Sequence, residues 1–183
     1  MFQRAVAEPR LWQGRKFDCR VYLLFAPNGR VYCHRRALLR RCRAKYEAKA
    51  TRRAVQLTNV AQGADTLDAG QWAPWSSLFP AVCQLAARLA SAAAAHRTPH
   101  CFLLAGADVM FTAQLRPQLL EVNRLPELRP DGAVVHGRCV AAVRSWRCMQ
   151  RWLVSGSPKR AMLLDLDGLV HGGVLGGWVP CGE

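Results

Sequence analysis

The sequence predicts an α+β domain in which two β-hairpins build an antiparallel sheet and helices pack on one face of it. Three observations support this prediction. Residues 16–25 alternate between apolar and polar side chains, as a half-buried strand does. Residues 102–123 contain two short apolar runs separated by a charged turn with a proline. Residues 79–96 and 134–153 repeat apolar side chains at helical spacing.

The first hairpin follows from the alternation and from a turn signal. The apolar face of residues 16–25 consists of Phe17, Cys19, Val21, Leu23 and Phe25, and the other face of Lys16, Asp18, Arg20 and Tyr22. The turn sequence Ala-Pro-Asn-Gly at 26–29 directs residues 30–35 back as a partner strand. Two interpretations of the polar face stay open. It is an exposed face with incidental ion pairs, or a phosphate site in which Lys16 and Arg20 hold the anion and Asp18 orients one of them.

The second hairpin brings acidic residues together. If Met110 faces Leu119, then Asp108 faces Glu121, and Asn123 follows on the same face. Two opposed carboxylates destabilise a sheet, and a hard cation removes the conflict. Two carboxylates and an amide oxygen are ligands that Mg²⁺ accepts. The alternative is that Asp108 and Glu121 are solvated strand residues in another register.

The middle of the chain is basic and then helical. Residues 35–53 hold nine basic side chains and a single acid, Glu47. This run is either a solvated surface or one that grips an acidic polymer, and its sparse aromatic residues disfavour a nucleic-acid stacking platform. Residues 55–60 resemble the end of a strand, and residues 62–74 a loop. The helix at 79–96 follows, with Val82, Leu85, Ala86 and Leu89 as its apolar stripe.

Composition sets limits on the class of protein. The 183 residues are 51% hydrophobic, which is enough for one domain with a sizeable core. The net charge of +14 favours an acidic partner such as nucleic acid, an anionic membrane or an acidic protein tail. The eight cysteines include no Cys-x-x-Cys pair, which predicts buried thiols in a reducing compartment. No leader-like or bilayer-length apolar run is present, so we expect an intracellular protein that does not enter a membrane.

Four segments together resemble the tubulin–tyrosine ligase-like family of ATP-grasp ligases. The first comprises Phe-Gln-Arg at 2–4 and Gly-Arg-Lys-Phe-Asp-Cys-Arg at 14–20. The second is the predicted hairpin at 31–46, where Arg35, Arg40 and Tyr46 fall on the family's positions. The third is Gln-Leu-Thr-Asn at 56–59, and the fourth runs from Phe102 through Leu-Leu-Glu-Val-Asn at 119–123 to Pro126. Order and spacing agree over roughly residues 2–128.

The resemblance implies an ATP-grasp-like antiparallel sheet and an ATP-dependent ligation of an amino acid to a protein carboxylate through an acyl phosphate. The implied ligands of Mg²⁺ are Asp108, Glu121 and Asn123. The implied catalytic residues, which meet phosphate or the activated carboxylate, are Lys16, Asp18, Arg20, Arg35 and Arg40. The implied contacts to ATP are Gln3, Arg4, Lys16 and Asn59.

The resemblance also implies partners and a location. The substrates would be the acidic C-terminal tails of tubulin and a free amino acid, with glutamate favoured, so that polyglutamylation is the expected modification. The location would be the cytoplasm and the cytoskeleton, including a cilium, flagellum or basal body. An alternative from another class is a non-catalytic, basic tubulin-binding remnant. Nucleic acid is disfavoured, because the acidic grouping would repel phosphate unless a metal were bound.

The resemblance divides the chain into two parts, and the sequence departs from the family's pattern at several positions. Residues 1–154 correspond to the C-terminal part of the family's ATP-grasp domain, and residues 155–183 form a Gly-rich tail of unknown structure. We expect the family's preceding half, with its phosphate-covering segment, to be absent from this sequence. Gln56 replaces the family's histidine, Ala37 its turn glycine, and Leu103 its glutamate.

Overall fold

A computed structural model describes residues 5–59, 63–92, 102–123, 158–172 and 174–182. The strands are β1 (Leu11–Trp12), β2 (Arg15–Phe25), β3 (Val31–His34), β4 (Leu38–Arg41), β5 (Asp65–Asp68), β6 (Leu103–Phe111), β7 (Pro117–Asn123) and β8 (Trp178–Cys181). The helices are α1 (Arg53–Gln56), α2 (Trp75–Ala92) and α3 (Pro158–Gly172), with a 3-10 helix at Ala69–Gln71. All described pairings are antiparallel. The predicted α+β class with a large antiparallel sheet is therefore confirmed.

Strand β2 is the centre of the sheet. It is 11 residues long, and four other strands pair with it. Along one edge it pairs first with β4, where Asp18 lies opposite Arg40, and then with β3, where Leu23 lies opposite Cys33. Along its other edge it pairs with β6, where Arg20 lies opposite Asp108. The predicted hairpin of β2 and β3 is confirmed.

The two faces of the sheet are buried differently. The apolar face of β2 packs beneath α2 in a cluster that includes Phe17, Trp72 and Phe79. On the opposite face, Tyr22 and Leu24 of β2 pack with side chains of α3 and β8. This second cluster covers only one end of that face, so the end that carries Asp18 and Arg20 holds charged side chains instead.

A β-bulge in β7 decides which of its residues reach the charged face. Asp108 lies opposite Glu121, as predicted, but the register shifts between Asp108 and Val109. Leu119 consequently lies opposite Val109, and the predicted pairing of Leu119 with Met110 is wrong. A bulge places two residues of one strand against one of its partner. It lets Leu119 and Val122 both pack against the core while Glu121 stays on the charged face.

Several segments differ from the prediction for local reasons. Residues 53–56 form a helical turn that buries Val55, where the end of a strand was expected. Residues 65–68, expected to be a loop, form edge strand β5, whose side chains do not alternate in polarity. Ion pairs hold this strand: Asp65 bonds Arg41 at 2.9 Å, and Asp68 bonds Arg36 at 2.6 Å. The basic run at 35–53 is therefore a mixture of paired strand residues and exposed loop.

The helical predictions have three outcomes. Helix α2 is confirmed, but it begins four residues earlier, at Trp75, because Trp75 and Phe79 are both buried one turn apart. The helix predicted at 134–153 lies outside the described residues. The Gly-rich tail contains α3 and β8, and β8 extends the sheet by pairing with β3. None of the helices in the described ranges is long and apolar enough to cross a membrane.

Candidate functional site

Four charged side chains form a connected ion network at the end of the sheet face that the α3 and β8 cluster does not cover. These side chains are nevertheless largely buried, with exposed fractions between 2% and 13%. We call Asp18, Arg20, Arg40 and Asp108 the ion network. Arg20 forms a bidentate salt bridge with Asp108, in which Nε donates to Oδ1 and Nη2 donates to Oδ2 at 2.9 Å. Arg40 bridges the two acids, since its Nε is 2.7 Å from Asp18 Oδ1 and its Nη2 is 2.8 Å from Asp108 Oδ2. The strand register sets these pairings, because Asp18 and Arg20 each lie opposite a member of the network.

Asp18 is the most buried member of the network. Its side chain is 2% exposed, and its second oxygen accepts a hydrogen bond from the Thr58 hydroxyl. Thr58 comes from the segment after α1, which thereby closes one side of the network. Sequence reasoning assigned no role to Thr58, although it stands in the Leu-Thr-Asn motif that carried part of the resemblance. Asp18 orients Arg40, whereas the sequence had suggested Lys16 or Arg20 for that partner.

The two acids have opposite pKa shifts. Burial raises the pKa of Asp18, and the hydrogen bonds from Arg40 and Thr58 only partly oppose this. Burial also acts to raise the pKa of Asp108, but the hydrogen bond from Arg20 and the charge of Arg40 outweigh it and lower the pKa. The pKa of Arg40 is raised, because its bonds to Asp18 and the charge of Asp108 outweigh its burial. Asp108 is thus the firmly ionised anion of the network.

The predicted magnesium ligands are brought together in part. Glu121 lies opposite Asp108, and Asn123 Nδ2 donates to Glu121 Oε1 at 3.0 Å. Glu121 is exposed, whereas the side chain of Asp108 is 5% exposed. Asp108 receives three donors from the two arginines, and an ionised carboxylate has about four acceptor positions. This count leaves about one acceptor position of Asp108 beyond the three arginine contacts, and two carboxylates and an amide are donor types that Mg²⁺ accepts.

The predicted set of Mg²⁺ ligands contains two acidic side chains, Asp108 and Glu121. Among the described residues no group of three His, Cys, Asp or Glu side chains is arranged to hold a metal ion. A cation at Glu121 would share Asp108 with Arg20 and Arg40, so it would have to bind at the border of the network.

The other predicted residues lie at different places. Lys16 Nζ donates to Gln56 Oε1 at 3.1 Å, so the glutamine that replaces the family's histidine holds this lysine. Asn59 is exposed beside Thr58. Arg35 is exposed, and its charge acts on Cys83 of α2, on the other face of the sheet from the ion network. Gln3 and Arg4 lie outside the described residues.

An exposed basic loop continues from the site. We call residues 43–53, which end at the first residue of α1, the basic loop. Its exposed cations are Arg43, Lys45, Lys49, Arg52 and Arg53. Backbone hydrogen bonds tie the loop to the core, since Tyr46 N donates to Gly14 O at 2.8 Å and Ala44 N donates to Ala54 O at 2.9 Å. The loop therefore presents positive charge from a fixed position near Lys16 and Gln56.

The large antiparallel sheet with a few helices is consistent with a partial ATP-grasp-like module. The sequence matches the model of the Tubulin-tyrosine ligase family over residues 1–67 and 62–140. This match covers more than half of the chain, and the protein belongs to the tubulin-tyrosine ligase family. Membership indicates an ATP-dependent ligase that acts on tubulin or a similar protein, and the family generally uses ATP and Mg²⁺.

Proposed function

We propose that this chain carries the phosphate-binding face of a ligase that adds glutamate to the acidic C-terminal tails of tubulin. The observation that carries the proposal is the ion network. It fixes two largely buried guanidinium groups on the charged end of a sheet face, one of them in the strand that carries Lys16, next to the exposed carboxylate of Glu121. Rigid cations next to a cation-binding acid suit a site that holds phosphate groups and their metal ion.

In the proposed reaction, ATP is the substrate that phosphorylates a tail carboxylate, and the amine of a free glutamate then displaces the phosphate from this acyl phosphate. No side chain has to act as a nucleophile. Lys16 and Arg20 would neutralise the transferred phosphoryl group, and Asp18 would hold Arg40 in position to do the same. The role proposed for Asn59 is a contact at the edge of the site. Arg35, whose charge acts on Cys83 on the other face of the sheet, has no role in the proposed reaction.

The proposed metal ligands are Asp108, Glu121 and Asn123. Bound Mg²⁺ would supply charge neutralisation at the phosphates. Glu121 offers the most accessible oxygens, because it is exposed and Asn123 holds it through one hydrogen bond. Asp108 is ionised by its arginines, so it would contribute a full negative charge.

The basic loop is the proposed contact for the acidic tail. Its five exposed cations are accompanied by one acid, Glu47, which pairs with Arg52 at 2.9 Å. Such a surface attracts a flexible acidic segment over several ångströms at moderate salt. With a substrate of this kind, the proposed location is the cytoplasm and the cytoskeleton, including a cilium, flagellum or basal body.

Titration calorimetry of the 183-residue chain with ATP, with and without Mg²⁺, tests this proposal. We expect Mg²⁺-dependent binding that Glu121→Gln weakens at least tenfold, because the exposed carboxylate is a direct ligand. Glu47→Gln is the matched control, since it removes the same charge from the basic loop, and we expect it to retain binding. Equal binding by the wild-type chain and Glu121→Gln would reject the metal site. Transfer of labelled glutamate to tubulin then tests the reaction itself.

One observation favours the alternative of a non-catalytic tubulin-binding protein. The ion network satisfies much of its own charge, because Asp108 already accepts from two arginines. A folded chain that captures tubulin but binds no ATP with Mg²⁺ would establish this alternative.

A further inference from the structure

Three cysteines from three different elements meet on the face of the sheet beneath α2. Cys33 belongs to β3, Cys181 to β8 and Cys83 to α2. In the register of β3 and β8, Cys33 pairs with Val179, and Cys181 pairs with Val31. The two strand cysteines are therefore diagonal neighbours on one face. All three cysteines belong to the same hydrophobic cluster, with Cys33 fully buried and the other two half-buried.

Helix α2 comes unusually close to β8 at this point. A Cβ atom built on Gly182 would lie 3.2 Å from Cβ of Ala87, and these residues stand one position after Cys181 and one turn after Cys83. Small side chains let the helix backbone approach the strand. The thiol of Cys83 is close enough to the thiols of Cys33 and Cys181 to influence both, while Cys181 Sγ donates to Val179 O at 3.5 Å.

The pKa values of Cys83 and Cys181 are shifted in opposite directions. Hydrogen bonds from Cys181 and Cys33 outweigh burial and lower the pKa of Cys83 to about 4, and the charge of Arg35 adds to this. The hydrogen bond to Cys33 acts to lower the pKa of Cys181, but the bond to Cys83 and burial outweigh it and raise the pKa to about 12. A half-buried thiolate beside a protonated thiol is the arrangement of an attacking and a resolving cysteine.

We propose that Cys83 and Cys181 form a redox modification site, in which Cys83 takes up a low-molecular-weight disulfide such as oxidised glutathione and Cys181 resolves the adduct into a protein disulfide. Cys83 is the attacking residue because it is half-buried and the positive charge of Arg35 acts on it, whereas the Cys181 thiol donates to the Val179 carbonyl. Cys33, which is fully buried, serves as a positioning residue for the Cys83 thiolate. This proposal is independent of the ligase reaction, because the ion network lies on the other face of the sheet.

The exchange balances in two steps. The Cys83 thiolate attacks the disulfide bond of oxidised glutathione, forming a mixed disulfide and releasing one glutathione thiolate. Cys181 gives its proton to that thiolate and attacks the Cys83 sulfur, which releases the second glutathione. Two protein thiols are oxidised to one disulfide, and oxidised glutathione is reduced by two electrons.

Loss of the negative charge helps the second step. The Cys83 thiolate raises the pKa of Cys181 through both its hydrogen bond and its charge. Once Cys83 carries glutathione, that thiolate is gone, so Cys181 ionises more readily and attacks. The product would join α2 covalently to the strand that extends the sheet, and oxidation would fix the tail to the core.

Mass spectrometry of peptides from the reduced 183-residue chain after treatment with oxidised glutathione tests the site. We expect a Cys83–Cys181 linked peptide. In Cys181→Ser the reaction should stop at glutathione on Cys83, and in Cys83→Ser neither product should form. Cys42→Ser, which removes a buried thiol outside the cluster, is the control and should behave like the wild type. A first linkage between Cys33 and Cys181, or glutathione on Cys42 instead of Cys83, would overturn the proposal.

A kinetic measurement on the wild-type chain requires no variant. An ionised thiol reacts with iodoacetamide at a rate that hardly changes with pH, whereas an ordinary thiol slows roughly tenfold for each pH unit below its pKa. We expect alkylation of Cys83 in the folded chain to change less than about threefold between pH 8 and pH 5.5. The same cysteine in urea should slow by more than about a hundredfold. Equal pH dependence in the folded and unfolded chain would contradict the proposal.

Discussion

Asp18 and Asp108 belong to one ion network, but their pKa values are shifted in opposite directions. Both are bound by Arg40, but Asp108 also receives both arms of Arg20. Asp108 thereby has enough donors to be more stable ionised in the folded chain than in the unfolded chain. Asp18 has one guanidinium arm and one hydroxyl, which do not offset its nearly complete burial. Removing the two charges should therefore have unequal consequences.

We expect Asp108→Asn to destabilise the folded chain by ~3–5 kcal/mol at pH 7, because it leaves two largely buried guanidinium groups without their shared anion. Asp18→Asn should cost less, by about 1 kcal/mol, since Arg40 keeps Asp108 and the buried amide replaces an unfavourable charge. Urea unfolding followed by circular dichroism measures both variants. Equal losses would contradict the assignment of Asp108 as the anion that both arginines require.

The pH dependence of the same variants has a definite sign. A carboxyl group whose pKa is lowered by folding stabilises the folded chain above its unfolded pKa, near 3.8, and this contribution disappears as the pH falls through the folded pKa. The stability difference between the wild type and Asp108→Asn should therefore be complete at pH 6 and shrink below about pH 4. Asp18 should act in the opposite direction, because its raised pKa opposes folding once it ionises. Urea unfolding midpoints of the wild type and both variants, measured between pH 3 and pH 6, would show these opposite pH dependences.

Among the elements, β7 shows how far sequence patterns reach. Alternation and the turn predicted the hairpin and the pairing of Asp108 with Glu121. They did not predict the bulge, because Leu119, Leu120 and Val122 are all apolar and either register buries some of them. The bulge is decided by packing against α2, which the strand sequence alone does not contain. The sequence thus predicted site residues where local alternation determines which face of the strand they occupy.

The tail was missed for a different reason. Helix α3 has a weak apolar pattern, and β8 is only four residues long, so neither gives a periodic signal. Long-range contacts hold them to the sheet: Asp165 of α3 bonds His34 of β3 at 2.9 Å, and Asp165 also accepts from Gly177 N at 3.0 Å within the tail. Trp178, which is buried, packs edge-on against His34. Contacts between residues more than a hundred positions apart leave no trace in local spacing.

Gly177→Ala should loosen this attachment. A Cβ at this position would come within 2.6 Å of His34 Nε2 and 2.8 Å of Asp165 Oδ2, so the His34–Asp165 contact would have to give way. We expect a loss of about 1–3 kcal/mol in the free energy of unfolding, the usual cost of crowding a packed site. Gly168→Ala in α3 is the control, because its Cβ meets nothing closer than 3.6 Å and alanine favours a helix. Equal stability of the two variants would mean that the His34–Asp165 contact does not stabilise the attachment of the tail.

At the scale of the whole molecule, charge is distributed unevenly. The carboxylates that the structure describes on β2, β5 and β6 are paired with arginines, so they neutralise part of the +14 charge locally. The basic loop has only Glu47 to offset its cations. The family assignment implies tubulin as a partner. The excess positive charge of the basic loop is consistent with the proposed contact to an acidic tail.

Affinity for acidic tail peptides should therefore depend on salt and on the basic loop. We expect binding of a glutamate-rich tubulin-tail peptide to weaken about tenfold between 50 mM and 300 mM NaCl, because exposed charges are screened over that range. The double variant Arg43→Ala with Lys49→Ala should weaken binding and flatten the salt dependence. Arg88→Ala with Arg116→Ala removes two exposed cations from α2 and from the turn before β7, and this control should retain most of the affinity. Fluorescence anisotropy measures all three proteins. Equal weakening by both pairs would mean that net charge, and not the basic loop, selects the partner.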